Sequence, residues 1–217
     1  KSVETINLID DLNSFSVTNL INKSIENIPT LIKNNNNAIP VKLNTESILN
    51  VQFGNGDGVI FNDYLNKYKN ITSIIASDIS INNLNSLLAS HKLLIVSFHM
   101  KSDTPWENMN KKFSLKEQDI LKTIDEHNNK ILVSFTNPYA LSQINLKSYN
   151  SVMVGFQNNR EFQKIIAQQI FGAKEIKGTL PVSINDTFKE GAGIILKNLN
   201  ILSYADPEML GVDRKKL

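Results

Sequence analysis

The run Leu93-Leu94-Ile95-Val96-Ser97-Phe98 constrains the fold more than any other stretch of this chain. It has the length of a strand and is apolar almost throughout. Successive side chains of a strand point to opposite faces, so a strand with one wet face alternates polar and apolar residues. A near-continuous apolar run belongs instead to a strand covered on both faces, as in a parallel sheet flanked by helices. Ile131 to Phe135 and Ser151 to Val154 read as two further buried strands. Upstream, Ser47 to Phe53 reads as a strand, Val59 to Tyr68 as a helix, Ile71 to Ala76 as a strand and Ile81 to Ser90 as a helix. Ser114-Leu115-Lys116-Glu117 has the form of a capping box and opens a helix to about His127. Asn158 or Asn159 can cap the helix that carries Phe162, Ile165, Ile166 and Ile170, and Gly172 closes it. Strands alternating with helices predict an α/β fold with a mostly parallel sheet and helices on both faces.

Before that core, apolar residues recur at three- and four-residue steps to about Lys33, interrupted near Asp10 to Ser14, which predicts two helices. Asn34 to Asn37 reads as a loop. From Leu196 the periodicity fades into what reads as a linker or tail. With 217 residues, 41% of them hydrophobic, the chain can bury the core of one domain. A net charge of +2 with no basic stripe argues against nucleic acid as a partner; Lys111-Lys112 and Arg214-Lys215-Lys216 are too small to change that. There is no cysteine, hence no disulfide or thiolate metal site, and no run approaches a membrane span. Asparagine is abundant, and this reads as a base-composition bias. The chain begins at Lys1, which reads as an excised piece or a mature fragment.

Four motifs in order give the chain a family look. Ile170-Phe171-Gly172-Ala173 leads into Lys177-Gly178-Thr179-Leu180-Pro181-Val182-Ser183-Ile184, then Phe188 to Ile194. Upstream lie Thr30-Leu31-Ile32-Lys33-Asn34 with Ala38-Ile39-Pro40-Val41, then Phe135-Thr136-Asn137-Pro138-Tyr139-Ala140-Leu141, then Val154-Gly155-Phe156-Gln157. Together these resemble the C-terminal α/β domain of glycoside hydrolase family 3, over roughly Ile25 to Gly193. The resemblance implies a three-layer α/β sandwich with about six strands. It divides the chain into a helical lead-in (1–33), the sandwich (34–195) and a tail (196–217). It also implies a partner domain, a (β/α)₈ barrel that carries the nucleophile and is missing from this sequence. The parent enzyme would hydrolyse terminal β-linked glucose or N-acetylglucosamine. The tail from Tyr204 to Leu217 resembles the junction that leads, in some bacterial fusions, to a serine β-lactamase-like domain.

Retaining glycosidases need two carboxyl groups about 5–5.5 Å apart, one nucleophile and one acid/base. Without the barrel, the chain is expected to be inactive on its own. In the β-glucosidase branch of the family the acid/base is a glutamate on a loop after a central strand. Glu107 is the positional match, and neighbouring Trp106 is a candidate for stacking on a sugar ring. In the N-acetylglucosaminidase branch this domain supplies no acid/base, and Glu107 is then an ordinary loop carboxylate. His99, Asn137 and Tyr139 fall at strand ends on the same edge and are candidates for contact with substrate or barrel; His99 could instead satisfy a loop hydrogen bond. His91 and His127 fall near helix C-termini and form no metal-site pattern. Gly54-Asn55-Gly56-Asp57-Gly58 lies between a strand and a helix but lacks nucleotide-loop spacing, so it reads as a turn with Asp57 as helix N-cap. No cofactor or metal is expected. The alternative function is a non-catalytic carbohydrate- or protein-interaction module of the same fold.

Overall fold

A computed structural model describes residues 8–12, 14–101 and 113–197. In chain order the elements are α1 (Leu8–Leu12), α2 (Phe15–Glu26), β1 (Thr30–Asn34), β2 (Ile48–Phe53), α3 (Val59–Asn66), β3 (Thr72–Ile75), α4 (Ile81–Ser90), β4 (Leu93–His99), α5 (Leu115–Asp125), β5 (Lys130–Phe135), β6 (Ser151–Val154) and α6 (Arg160–Ile170). The six strands form one sheet in the order β1-β6-β5-β4-β2-β3. Every neighbouring pair is parallel except β1 with β6. The fold is the α/β sandwich that the alternation of apolar runs and helical periods predicts.

Burial on both faces of the sheet follows the pleat. All seven residues of β4 are buried. Ile48, Ile95, Ile131 and Met153 point into one core with Phe61, Leu65, Ile165 and Ile166 from α3 and α6. Their neighbours Leu49, Leu94, Val96, Leu132 and Val152 point into a second core with Leu84, Ile120 and Ile124 from α4 and α5. Each fully buried aliphatic side chain contributes about 1.5–3 kcal/mol relative to exposure. A sheet core with two dry faces therefore gains from both sides of each strand.

One element differs from the sequence expectation. Helical spacing runs to Lys33, but α2 ends at Glu26 and residues 30–34 form the sixth strand, an antiparallel edge paired with β6. Pro29 accounts for the change, because a proline ring pushes the residue before it out of the helical region and removes a backbone donor. Thr30 and Ile32 are β-branched and favour the extended chain that follows. α3 also ends two residues short of Tyr68, its last turn closing through Lys67 N–H on the Tyr64 carbonyl at 3.3 Å.

The helix ends behave as their residues dictate. Ser114 Oγ accepts from Glu117 N–H at 3.2 Å while Glu117 Oε2 accepts from Ser114 N–H at 2.9 Å, completing the capping box of α5. α6 starts on Asn159, whose Oδ1 accepts from Phe162 N–H at 3.0 Å. It stops at Gly172, with φ +73°, where Ala173 N–H reaches the Gln168 carbonyl at 2.9 Å and Gly172 N–H the Gln169 carbonyl at 3.0 Å. This pair of bonds satisfies the last carbonyls of α6 in a left-handed turn that glycine adopts without strain. Asn159→Ala is expected to lower unfolding free energy by about 1 kcal/mol and Asn159→Gly by only a few tenths. Urea titration of the three proteins checks the order.

Candidate functional site

The parallel strands end together on one edge, and the loops that follow them gather there. At its centre His99, the last residue of β4, is fully buried. Its ring stacks on Phe135 with centroids 4.5 Å apart and lies 5.7 Å from that of Phe61. The Gly54–Gly58 loop closes over it: Gly56 N–H donates to the His99 carbonyl at 2.8 Å. A β-carbon on Gly56 would lie 2.8 Å from the backbone carbonyl carbon of His99 and 2.9 Å from its oxygen, so a glycine there lets the loop come this close.

A chain of amides fixes the histidine's protonation. Asn158 Nδ2 donates to the Asp57 carbonyl at 3.1 Å, which turns Asn158 Oδ1 towards His99 Nδ1 at 2.9 Å. Gln163 Nε2 donates to the same Oδ1 and to the Asp57 carbonyl, both at 2.7 Å, while its Oε1 accepts from Phe61 N–H at 2.9 Å. Oδ1 can only accept, so Nδ1 carries the proton and Nε2 is bare. Nε2 is buried and has no hydrogen-bond partner among the described residues. Burial pushes the His99 pKa down from 6.5 to about 4, against the opposing pulls of the Asn158 bond and the Asp57 charge. The imidazole is therefore neutral at neutral pH. It ties the ends of β4 and β6 to the β2–α3 loop, and its side chain is buried beneath that loop.

Asp57 does not cap α3 in the way its position suggests. Gly58 takes the N-cap backbone position, and Asp57 Oδ1 accepts from Val59 N–H at 2.8 Å, one residue earlier than a capping carboxylate would sit. Asn137 is half-buried beside the end of β5; its Oδ1 accepts from Tyr139 N–H at 3.0 Å and caps the 3₁₀ segment Pro138–Gln143. The Tyr139 ring is exposed on the same edge. His91 follows α4 and binds the Leu87 carbonyl through Nδ1 at 2.7 Å. His127 Nε2 lies 3.2 Å from the His91 carbonyl. Trp106 and Glu107 lie outside the described residues. Among the described residues no group of three or more His, Asp or Glu could hold a metal ion, and no helix is long and apolar enough to cross a membrane.

Three features of this edge escape the sequence reading. The first is the joint role of Asn158 and Gln163 above. The second is Phe156, which has φ +65° while Gln157 N–H reaches the Gly155 carbonyl at 2.7 Å. A three-residue turn of that hand is rare and strained, and a bulky residue there is a true outlier. The third is a set of exposed apolar side chains. Val59, Ile81 and Leu115 are the first residues of α3, α4 and α5, and they are 57%, 36% and 80% exposed. Helix first turns favour acids, yet α3 and α4 have none there. Ile28, Ile75 and Tyr139 add to the same edge.

The fold has relatives among solved structures. The β-glucoside phosphorylase BglX superposes with a TM-score of 0.64 at 15% identity, over 84% of this chain and 34% of its own. A fungal multi-domain family 3 β-N-acetylglucosaminidase gives 0.65 at 13% identity, over 91% of this chain and 21% of its own. A family 3 β-N-acetylglucosaminidase from Paenibacillus sp. gives 0.57 at 15%, over 79% and 33%. The chain thus spans about a third or less of the length of these proteins. No protein-family model and no curated protein matches the sequence. At such identities the likeness establishes the fold: the chain has the α/β fold contained in family 3 glycoside hydrolases, the one its motifs resemble.

Proposed function

We propose that the chain is the C-terminal α/β domain of a family 3 glycoside hydrolase, and that the carboxyl edge of its sheet packs against a (β/α)₈ barrel holding the nucleophile. The observation that carries this reading is the apolar edge. Exposed Val59, Ile81 and Leu115 open three helices at this edge, α3 on one face of the sheet and α4 and α5 on the other, with Ile28, Ile75 and Tyr139 at the same edge. Covering apolar surface yields about 25 cal/mol per Å², so a partner domain on this edge gains where water would lose. The parent enzyme hydrolyses terminal β-linked glucose or N-acetylglucosamine. Glu107, on the connection between β4 and α5, is the acid/base this domain would lend to the barrel's aspartate, with Trp106 against the sugar. Asn137 and Tyr139 complete the surface. In the same proposal the tail from Tyr204 leads towards a serine β-lactamase-like domain.

The chain alone is expected to give no turnover of nitrophenyl β-glucoside or β-N-acetylglucosaminide above a buffer blank. Expressed together with the barrel that this reading expects ahead of it, it should support hydrolysis. The barrel should also protect Trp106, the one tryptophan, from acrylamide quenching. Turnover by the chain alone that disappears in Glu107→Gln would sink the proposal, as would quenching that the barrel leaves unchanged.

A further inference from the structure

The opposite edge of the sheet carries a cleft of about 390 Å³ with an unusual lining. It opens where β4, β5 and β6 begin and where antiparallel β1 ends. Five asparagines from three separate segments meet there: Asn36, Asn37, Asn128, Asn129 and Asn150. The size lies within the range of small-molecule pockets, about 300–1,000 Å³.

The cleft is held in shape from behind. Asn34 Nδ2 donates to the Ile39 carbonyl at 2.7 Å, and its Oδ1 accepts from Ile39 N–H at 3.0 Å and from Ser151 Oγ at 2.6 Å. This clamp keeps the β1 exit loop in one form, with Asn36 and Asn37 at φ +55° and +50°. Asparagine tolerates that region better than most residues, though two in succession still cost energy. Asn129 Nδ2 donates to the Lys92 carbonyl at 3.0 Å, and Asn150 Oδ1 accepts from Lys130 N–H at 2.9 Å. Each of these two amides uses one end in that bond, and both residues line the cleft. The side chains of Asn36, Asn37 and Asn128 have no hydrogen-bond partner among the described residues. Buried Val41 and Leu93 contribute apolar floor.

We propose that this cleft binds a neutral saccharide. Each amide offers both a donor and an acceptor, as does each sugar hydroxyl, so amides gathered from three segments match a ring of hydroxyls. The apolar floor suits the C–H face of a pyranose. The lining contains no carboxylate, which disfavours a cation, and Lys42 is its one charge. The site stands on this cleft alone and does not depend on the barrel reading, since it lies on the other edge of the sheet.

The test is amide NMR of the ¹⁵N-labelled chain titrated with methyl β-glucoside and N-acetylglucosamine. Saturable shifts are expected in the side-chain NH₂ signals of Asn36, Asn37 and Asn128, with a Kd on the order of 1 mM, as an open cleft with few contacts allows. Asn37→Gly, which keeps the left-handed backbone, and Asn128→Ala should each weaken binding about 5-fold or more, with the urea midpoint near that of the parent. No saturable shift up to about 100 mM would overturn the proposal. So would equal binding by both variants, or shifts centred on Gly54 to Gly58. Tighter binding of inorganic phosphate than of methyl β-glucoside would also overturn it, by making the site an anion site through Lys42.

Discussion

Gly54→Ala is expected to be the most damaging single methyl that can be added to the carboxyl edge. Gly54 has φ +95°, and a β-carbon there would lie 2.2 Å from the His99 carbonyl oxygen and 2.8 Å from Met100 Sδ. The thioether can swing away, but the carbonyl cannot. It is part of β4 and already accepts from Gly56 N–H at 2.8 Å. Two costs therefore add: about 1–2 kcal/mol for an alanine in a left-handed conformation and about 1–3 kcal/mol for forcing packed atoms apart. The expected loss is about 3 kcal/mol, a large part of the 5–15 kcal/mol that stabilises a typical domain. Gly191 provides the control. It has φ +80°, but a β-carbon there meets nothing within 4 Å. Gly191→Ala should carry the backbone cost alone, about 1–2 kcal/mol. Urea denaturation of both variants separates the terms. A Gly54→Ala protein as stable as Gly191→Ala would mean that the loop shifts without cost and does not clamp His99.

The layers of this fold were legible because they rest on periodicity. Leu93 to Phe98 suits a strand dry on both faces, and β4 sends Leu94 and Val96 to one core and Ile95 to the other. Ser114 with Glu117, and Asn159 with Gly172, marked helix ends because each answers a specific orphan backbone group. The edge strand β1 was hidden because helical spacing continued into it, and a single proline outweighed that spacing. The site was less legible for a different reason. His99 could be placed at a strand end, but its partners come from residues 57, 158 and 163, and no local pattern joins them. Gln163 sits in a helix among Phe162 and Ile166, where a polar residue is the only hint of a buried network. Nothing about Phe156 announces a left-handed turn, since a bulky side chain rarely adopts one. Likewise, Val59, Ile81 and Leu115 looked like ordinary members of amphipathic helices. Their meaning emerged only when the parallel topology brought three helix starts to one edge.

His99 also makes stability depend on pH in a defined window. In the unfolded chain a histidine titrates near 6.5, whereas in the fold burial holds His99 down to about 4. Between these values the unfolded state binds a proton that the folded state refuses. Stability must therefore be full above about pH 6.5 and fall as pH drops towards 4. A difference of about 2.5 units corresponds to about 3 kcal/mol. The proton would arrive at Nε2, which faces Gly58 and has no hydrogen-bond partner among the described residues. Nδ1 already donates to Asn158, so the ring cannot turn to offer a better atom without breaking that bond. Charging the ring should thus strain the loop above it first. The amide of Gly56, bonded to the His99 carbonyl, is the local reporter, and its protection factor, with the intrinsic pH dependence of amide exchange divided out, should fall before those of β5 as pH falls through the window. Carboxylates contribute to acid denaturation as well, so the comparison is with His99→Gln, which keeps a polar head but cannot titrate. The variant should be less stable than the parent near pH 7 and should lose about 3 kcal/mol less on going to about pH 4. Parallel stability curves for parent and variant would show that His99 titrates alike in both states, and that its burial under the glycine loop has no electrostatic consequence.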